Sequence, residues 1–148
     1  MRAAIVLLTC TCLATAGALS AGEAAVEHYS EDPAAQLPFS DAVRVGDMLY
    51  LSGKIGNLPG TLQLAPGGIQ GETRQTLENI KASLEKYGSS LDEVVKCTVF
   101  LADIAEWGAM NEVYVTYFTA NPPARSALGT SGLALGARVE IECLAAMR

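Results

Sequence analysis

The chain has 148 residues, half of them hydrophobic and few of them aromatic, and its formal net charge is −6. This length and composition indicate one globular domain with enough apolar side chains for a core, and they exclude a disordered chain. The acidic balance argues against nucleic-acid binding, because phosphate is repelled unless a local basic patch is present. The basic residues after the N-terminus are scattered from Arg44 to Arg148, so the sequence indicates no such patch.

The first twenty residues have the pattern of a secretory signal peptide. Arg2 gives a positive start, residues 3–18 are apolar and small, and Ser20 ends a stretch that suits cleavage. Cleavage there would change the net charge from −6 to −7, because Arg2 is the only charged residue lost. The stretch is too short for a comfortable membrane span. We therefore expect an exported protein, periplasmic or secreted, without membrane attachment after leader removal; the alternative is an unprocessed N-terminal helix.

Cys97 and Cys143 are the cysteines that would remain in the mature chain. In an oxidising compartment they could pair. Because a disulfide requires specific geometry, the sequence favours two unpaired, buried cysteines in strands. Neither has a histidine nearby that would complete a metal site, since His28, the only histidine, lies soon after the leader.

The N-terminal half begins with a lead-in at residues 21–37 that reads as irregular. Strand-like runs at residues 41–45 and 48–52 flank Gly46 and Asp47, a tight hairpin signal. Residues 53–71 are rich in glycine and proline and predict a long loop, with a short strand near residues 61–64.

The C-terminal half shows two helical and three strand-like segments. Residues 72–87 predict a helix that ends at Gly88. Residues 94–101 predict a strand with one apolar face, formed by Val95, Cys97, Val99 and Leu101. A capping-box-like start at Asp103 predicts a second helix to about residue 119. Residues 124–130 and 138–147 predict the last two strands.

The resulting order is β-β-α-β-α-β-β over residues 38–148. It predicts an α+β domain with one mixed sheet and two helices on one face. Two helices on one side leave the other side of the sheet uncovered. Because that face carries charges among apolar residues, we expect it to meet water or another subunit, and we expect an oligomer.

Arg125 is the most informative candidate for a functional residue. It follows two prolines and precedes Ser126, so a guanidinium on stiff backbone stands beside a small hydroxyl. A guanidinium can bond both oxygens of a carboxylate, so the pair is interpreted as a carboxylate clamp. The alternative is a structural ion pair between Arg125 and Glu140 or Glu142, and the residues alone leave both open.

Glu140 and Glu142 alternate along the last strand and therefore share one face. Two like charges so close favour a raised pKa in at least one carboxyl, which suits proton transfer; a solvated or salt-bridged strand face is the alternative. Asn111 and the Ser52-Gly53 strand end are weaker candidates for pocket residues. The glycine-rich stretches match no phosphate or dinucleotide motif, and the sequence offers no metal cluster and no site for an organic cofactor.

These features together resemble the RidA/YjgF family of reactive-intermediate deaminases. The resemblance runs in order through roughly residues 35–147, and it is carried by residues 38–43, 51–55, 75–79, 95–101, 110–114, 123–126 and 139–142. It implies a chorismate-mutase-like fold, a homotrimer with ligand clefts between subunits, and no cofactor. It also implies hydrolysis of enamines and imines such as 2-aminoacrylate and 2-iminopropanoate to 2-oxo acids and ammonia.

The resemblance assigns roles to individual residues. Arg125 stands at the carboxylate-binding position and Glu140 at the position that handles water or a proton. Further pocket positions are occupied by Ser52, Gly53, Asn111, Phe39 and Ser126. Phe39 replaces a common tyrosine, Lys54 a frequent glutamine, and Ala127 a cysteine of archetypal members. Two alternatives follow: a non-catalytic binder of small carboxylates on the same trimer, and an endoribonuclease, which the acidic charge disfavours.

Overall fold

The computed structural model describes residues 24–30 and 37–148. Besides short 3₁₀ turns, the described chain contains two α-helices and seven strands: β1 Val26–Tyr29, β2 Ala42–Val45, β3 Met48–Leu51, β4 Lys54–Ile55, α1 Gly68–Lys86, β5 Val94–Leu101, α2 Trp107–Tyr114, β6 Ala124–Gly129 and β7 Val139–Ala146. The predicted signal peptide at residues 1–20 lies outside the described residues. Within those residues, no helix is long and apolar enough to span a lipid bilayer.

The strands form one mixed sheet in the order β1-β2-β3-β7-β5-β6, and β4 also pairs with β7. The pair β5–β6 is parallel, and the other pairs are antiparallel. Both helices belong to one hydrophobic core with the buried side of the sheet. The predicted α+β class, with one mixed sheet and two helices, is therefore confirmed.

The prediction of an irregular lead-in is wrong at β1. Val26–Tyr29 pairs antiparallel with β2, and Tyr29 stacks on Tyr87 with ring centroids 4.7 Å apart. These four residues do not alternate clearly between apolar and polar side chains. The strand therefore forms because it pairs with β2, and not because of its own sequence pattern. The short strand expected near residues 61–64 is instead an isolated bridge between Asn57 and Leu64.

The two helices differ in how well their lengths were predicted. α1 begins four residues earlier than expected, and it buries Leu77, Ile80 and Leu84 completely. α2 is much shorter than expected: a 3₁₀ turn at Ile104–Glu106 takes the place of its first turn, and the helix ends at Tyr114 and not near residue 119. The Asp103 carboxylate does accept a hydrogen bond from the Ala105 N–H at 2.9 Å, so the predicted capping signal marks the turn and not the helix.

The bounds of β5 are confirmed, but one of its side chains was assigned to the wrong face. Cys97, Val99 and Leu101 are fully buried, whereas Val95 is 46% exposed. The pairing with β7 shifts register between Val94 and Lys96. Such a bulge changes the alternation of side chains, so the simple period-two pattern fails at its first residues.

The expectation that the two cysteines stay unpaired is wrong. Cys97 and Cys143 are direct partners in the β5–β7 register, and they form a disulfide between Cα atoms 4.2 Å apart. The bond lies in the core, where both residues are buried. The pairing depends on which residues of two distant strands face each other, and that register is not readable from either strand alone.

The face of the sheet away from the helices carries both apolar and polar side chains. Tyr50 and Leu128 are exposed on it, Phe100 and Leu144 are half-buried, and Lys96 and Glu142 stand among them. This mixture matches the uncovered face expected from the sequence. Oligomerisation through this open face remains a prediction.

Candidate active site

Arg125 is held on the helix side of the sheet, at its edge strand β6. Its register partner on β5 is the buried Cys97, so its side chain projects toward α2. There its Nη2 donates a hydrogen bond to Asn111 Oδ1 at 2.8 Å. The guanidinium carbon lies 4.4 Å from the ring centroid of Tyr114 and 5.8 Å from that of Trp107. One amide and two aromatic faces therefore fix the guanidinium without neutralising it.

The structure does not contain the internal ion pair that was the alternative reading of Arg125. Across residues 24–30 and 37–148, no carboxylate lies within salt-bridge distance of its guanidinium. A guanidinium has five N–H donors, and Asn111 uses one of them. The remaining donors and the positive charge are available to an anion.

A cavity of about 300 Å³ adjoins this guanidinium. Its lining residues come from α2, the turn after it and the start of β6: Asn111, Tyr114, Val115, Phe118, Pro122, Pro123 and Arg125. Apolar walls with a few fixed polar groups are typical of small-molecule sites. Arg125 is the one charged side chain among these lining residues, so the cavity suits a small carboxylate with an otherwise apolar body.

The ring of Tyr114 packs against the guanidinium of Arg125. Burial raises the pKa of its phenol to about 12, and the positive charge of Arg125 acts in the opposite direction. The phenol is thus neutral near pH 7, so it supports Arg125 through its ring face and not as a phenolate. Its hydroxyl is buried and has no hydrogen-bond partner among the described residues.

Glu140 belongs to a second group of candidate residues, around the end of β3. The carboxylate of Glu140 lies over the backbone of Gly53: a Cβ atom added to Gly53 would meet Glu140 Oε1 at 2.0 Å. Only a glycine can occupy this position without displacing the carboxylate. Gly53 therefore positions Glu140 by leaving room for it.

Ser52 ties this second group to the segment that precedes β2. Its hydroxyl donates to the Ser40 carbonyl at 2.7 Å, and its N–H donates to the Asp41 carbonyl at 3.0 Å. Lys54 adds an ion pair with the buried carboxylate of Asp41. Phe39, next in the chain to Ser40, is 58% exposed. Ser52 therefore uses its hydroxyl and its N–H to hold the segment before β2 in place. The ring of Phe39, by contrast, is exposed.

The two groups do not meet within one chain. Glu140 pairs with Phe100 and Ile55, and it alternates with Val139 and Ile141, which are buried against the helices. Its side chain therefore lies on the open face, whereas Arg125 lies on the helix face. A single chain presents the carboxylate anchor and the candidate proton-transfer group on opposite sides of its sheet.

The interpretation of Arg125 and Ser126 as a joint clamp is wrong within the chain. Adjacent residues of a strand point to opposite faces, and Ser126 accepts a hydrogen bond from Lys96 Nζ at 2.8 Å on the open face. Asn111 contacts the guanidinium in its place. Of the predicted site residues, Asn111 contacts Arg125. Gly53 contacts Glu140, and Ser52 and Phe39 belong to the same group.

Sequence reasoning missed two aromatic neighbours of Arg125. Trp107 and Tyr114 were assigned only to the apolar side of a helix. With Asn111 they are spaced four and three residues apart, which places all three on one helix face. That spacing, together with an arginine later in the chain, was the sequence signal that could have predicted these contacts.

The described part of the chain has no group of three acidic, cysteine or histidine side chains placed to bind a metal ion.

Comparison with known proteins identifies the family. The family model described as Endoribonuclease L-PSP matches residues 29–147. The chain belongs to this family. The 2-iminobutanoate/2-iminopropanoate deaminase of Mus musculus is 45% identical over 113 residues, which are 76% of this chain and 84% of that protein.

Two further relatives extend the comparison. The chloroplastic Reactive Intermediate Deaminase A of Arabidopsis thaliana is 38% identical over 78% of this chain and 62% of its own length. The crystal structure of the YjgF gene product of E. coli is 35% identical, covers 78% of this chain and 93% of that chain, and superposes with a TM-score of 0.72. The resemblance drawn from the sequence is thereby confirmed for the family and the fold.

Proposed function

We propose that this chain hydrolyses 2-imino acids and their enamine tautomers, of the 2-iminopropanoate and 2-aminoacrylate type, to 2-oxo acids and ammonia. The observation that carries the proposal is the guanidinium of Arg125, fixed by Asn111 and two aromatic rings beside an apolar cavity. Among the described residues, no carboxylate lies within salt-bridge distance of it. Relatives named for this activity, at about 45% identity, support it.

The reaction needs one water molecule and proton transfers. An enamine first takes a proton on carbon and loses one from nitrogen to become the imine. Water then adds to the imine carbon and one of its protons passes to the nitrogen, which gives a carbinolamine. The C–N bond of the carbinolamine breaks with its electron pair leaving on nitrogen, the hydroxyl proton passes to that nitrogen, and the C=O bond of the 2-oxo acid forms as ammonia leaves. Arg125 holds the substrate carboxylate with charge-assisted hydrogen bonds, while Glu140 takes a proton from the water and returns it to the leaving nitrogen. Imines hydrolyse in water unaided, so orientation and one proton-transfer group suffice.

We propose further that the site is assembled between subunits of a homotrimer. The Arg125 group of one subunit would face the Glu140 group of its neighbour. Their positions on opposite faces of one sheet support this arrangement, because neither group is complete alone. The apolar residues of the open face support assembly through that face.

We also propose that the mature protein works outside the cytoplasm, in the periplasm or as a secreted protein, after removal of residues 1–20. The leader-like sequence supports this, and so does the disulfide between Cys97 and Cys143, because such bonds persist mainly in oxidising compartments. Mass spectrometry of protein from an exporting host tests it: a mature chain beginning near residue 21 is expected, and an intact N-terminus would contradict it.

The activity itself is tested with imines generated in situ by an L-amino-acid oxidase, with semicarbazide as a competing trap. Chain from residue 21 is expected to speed the release of 2-oxo acid, and Arg125→Ala is expected to abolish this effect while the oligomer survives. Arg148→Ala is the matched control, since Arg148 forms an exposed pair with Glu93 away from the cavity. Full activity in Arg125→Ala would overturn the proposal.

A non-catalytic binder of small carboxylates is the second candidate. Phe39, which is exposed beside the Glu140 group and has no hydroxyl to offer a substrate, favours it. Binding of a 2-oxo acid in calorimetry without any acceleration of imine decay would support the binder.

Endoribonuclease activity is disfavoured by the net charge of −6. RNA cleavage that Glu140→Ala abolishes in ribonuclease-free protein would revive it.

A further inference from the structure

The backbone between β3 and β4 is not held in place by pairing with β7. That pairing runs as far as Tyr50 and resumes at Lys54, so three residues, 51–53, stand opposite two residues of β7. One residue is therefore extra on this side, as in a β-bulge. Gly53, over which the Glu140 carboxylate lies, belongs to this bulge. Its position depends on contacts other than those with β7.

Both neighbours of Gly53 in the chain are bonded to the segment just before β2. On one side, the Ser52 N–H donates to the Asp41 carbonyl at 3.0 Å, and the Ser52 hydroxyl donates to the Ser40 carbonyl at 2.7 Å. On the other side, the Lys54 ammonium forms an ion pair with the Asp41 carboxylate. Asp41 is thus bonded on both sides of the glycine, once through its backbone and once through its side chain.

Stability is a weak explanation for this ion pair. The side chains of Lys54 and Asp41 are only 13% and 8% exposed. Asp41 Oδ2 is buried and has no hydrogen-bond partner among the described residues. Removing two charges from water is costly, an unbonded oxygen adds to that cost, and apolar side chains of similar volume often stabilise such a site as well or better. Some buried ionic groups instead fix one geometry, and the geometry within reach here is that of the bulge.

We propose that Asp41 and Lys54 are positioning residues for Glu140 in the hydrolysis of imines. This rests on the proposed function. The ion pair holds the backbone of Gly53 against the shift that an extra residue permits, and the Glu140 carboxylate on that backbone keeps its place. Lys54 itself lies on the helix side of the sheet, away from the open face that carries Glu140. Loss of the pair therefore lowers kcat and leaves carboxylate binding at Arg125 intact.

Two double variants separate positioning from folding. Asp41→Leu with Lys54→Met removes both charges and keeps similar side-chain volumes, so the urea midpoint is expected to stay or to rise. Its kcat is expected to fall about tenfold, for a shift smaller than the roughly 1 Å that can cost 10²-fold. Asp41→Asn with Lys54→Gln keeps a hydrogen bond between two neutral side chains and is expected to restore most of kcat. Pyruvate is expected to bind both variants in calorimetry as it binds the wild type.

Arg148→Met is the matched control for the loss of a cation. Arg148 forms its ion pair with Glu93 at an exposed site, with 65% of the arginine side chain accessible. The contacts of Gly53 do not include this pair, so kcat is expected to remain at the wild-type value.

The position of the Glu140 carboxylate is followed without turnover by NMR. The protein is labelled with ¹³C in its glutamate side chains, and the carboxyl resonance of Glu140 is assigned as the one that Glu140→Gln removes. We expect this resonance to move in the apolar double variant, and to stay near its wild-type frequency in the amide double variant and in Arg148→Met.

Wild-type kcat in the apolar double variant would overturn the inference. So would a loss of kcat matched by an equal loss of pyruvate affinity, because the pair would then support the fold of the whole site and not the place of Glu140. If the proposed function fails, the wild type accelerates no imine decay. The Glu140 resonance still decides the inference in that case, since an unmoved resonance in the apolar double variant would show that the pair does not position the carboxylate.

Discussion

Arg125 and Glu140 lie on opposite faces of the same sheet, and different kinds of contact position them. Arg125 stands on an edge strand and is held by side chains: the amide of Asn111 and the rings of Tyr114 and Trp107. Glu140 stands on a central strand and is accommodated by the bare backbone of Gly53. The anchor can therefore be altered one side chain at a time, whereas the proton-transfer group depends on the shape of the backbone.

This contrast predicts the largest effect for Glu140→Gln. The change keeps the size of the side chain and removes its ability to take a proton. We expect kcat to fall roughly 10²–10⁴-fold with a small change in KM, as for loss of a general base. Arg125→Ala, which is expected to abolish turnover, should also weaken binding of the 2-oxo acid product, whereas Glu140→Gln should leave that binding nearly unchanged. Stopped-flow measurements of imine decay and calorimetry of 2-oxo acid binding check this, and equally weakened binding in both variants would remove the division of roles.

The disulfide crosslinks β5, which neighbours Arg125, to β7, which carries Glu140. Its cysteines are 46 residues apart, and a loop of that length corresponds to about 4 kcal/mol in the chain-entropy account. The double variant Cys97→Ala, Cys143→Ala is expected to lose roughly 2–4 kcal/mol of unfolding free energy. Urea denaturation at fixed protein concentration measures it. An unchanged midpoint, in the variant or after reduction of the wild type, would show that the bond contributes nothing.

Gly53→Ala tests the backbone side of the comparison. Its Cβ would displace the Glu140 carboxylate, and a displacement of about 1 Å can cost on the order of 10²-fold in rate. We expect kcat to fall at least about tenfold with little loss of thermal stability, because Gly53 is exposed. Gly108→Ala is the control, since nothing lies near a Cβ at that position. Normal kcat in Gly53→Ala would mean that the placement of Glu140 is unimportant.

Asn111→Ala tests the side-chain support of the anchor and should have the smallest effect. It removes the amide that accepts a hydrogen bond from the guanidinium but leaves both rings and the charge. A hydrogen bond to a charged group contributes about 1.5–3 kcal/mol when buried; at this half-buried site we expect KM to rise about tenfold. Steady-state kinetics report it. A fall in kcat with constant KM would assign Asn111 to the chemistry and not to binding.

The elements with the clearest periodicity were readable from the sequence. The bounds of β5 and the buried stripe of α1 follow from alternation and from helical spacing, both of which are local properties. Val95 and β1 were misread because each depends on pairing with another strand: a bulge against β7 in one case, and the edge of β2 in the other. Local patterns do not record register.

The candidate site shows the same limit. That Ser126 and Arg125 point to opposite faces follows from strand alternation and was available from the sequence. Two other features depend on how segments far apart in the chain align. They are the pairing of Cys97 with Cys143 and the position of the Glu140 carboxylate over Gly53. The separation of Arg125 from Glu140 likewise emerged only with the sheet order.

A subunit-mixing experiment tests the account most directly. Arg125→Ala and Glu140→Gln chains, each inactive alone, are unfolded, mixed in equal amounts and refolded, with each variant refolded separately as the control. If the site joins Arg125 of one subunit to Glu140 of the next, random assortment restores about one quarter of the wild-type activity. Mixed oligomers that form and remain inactive would contradict a site shared between subunits.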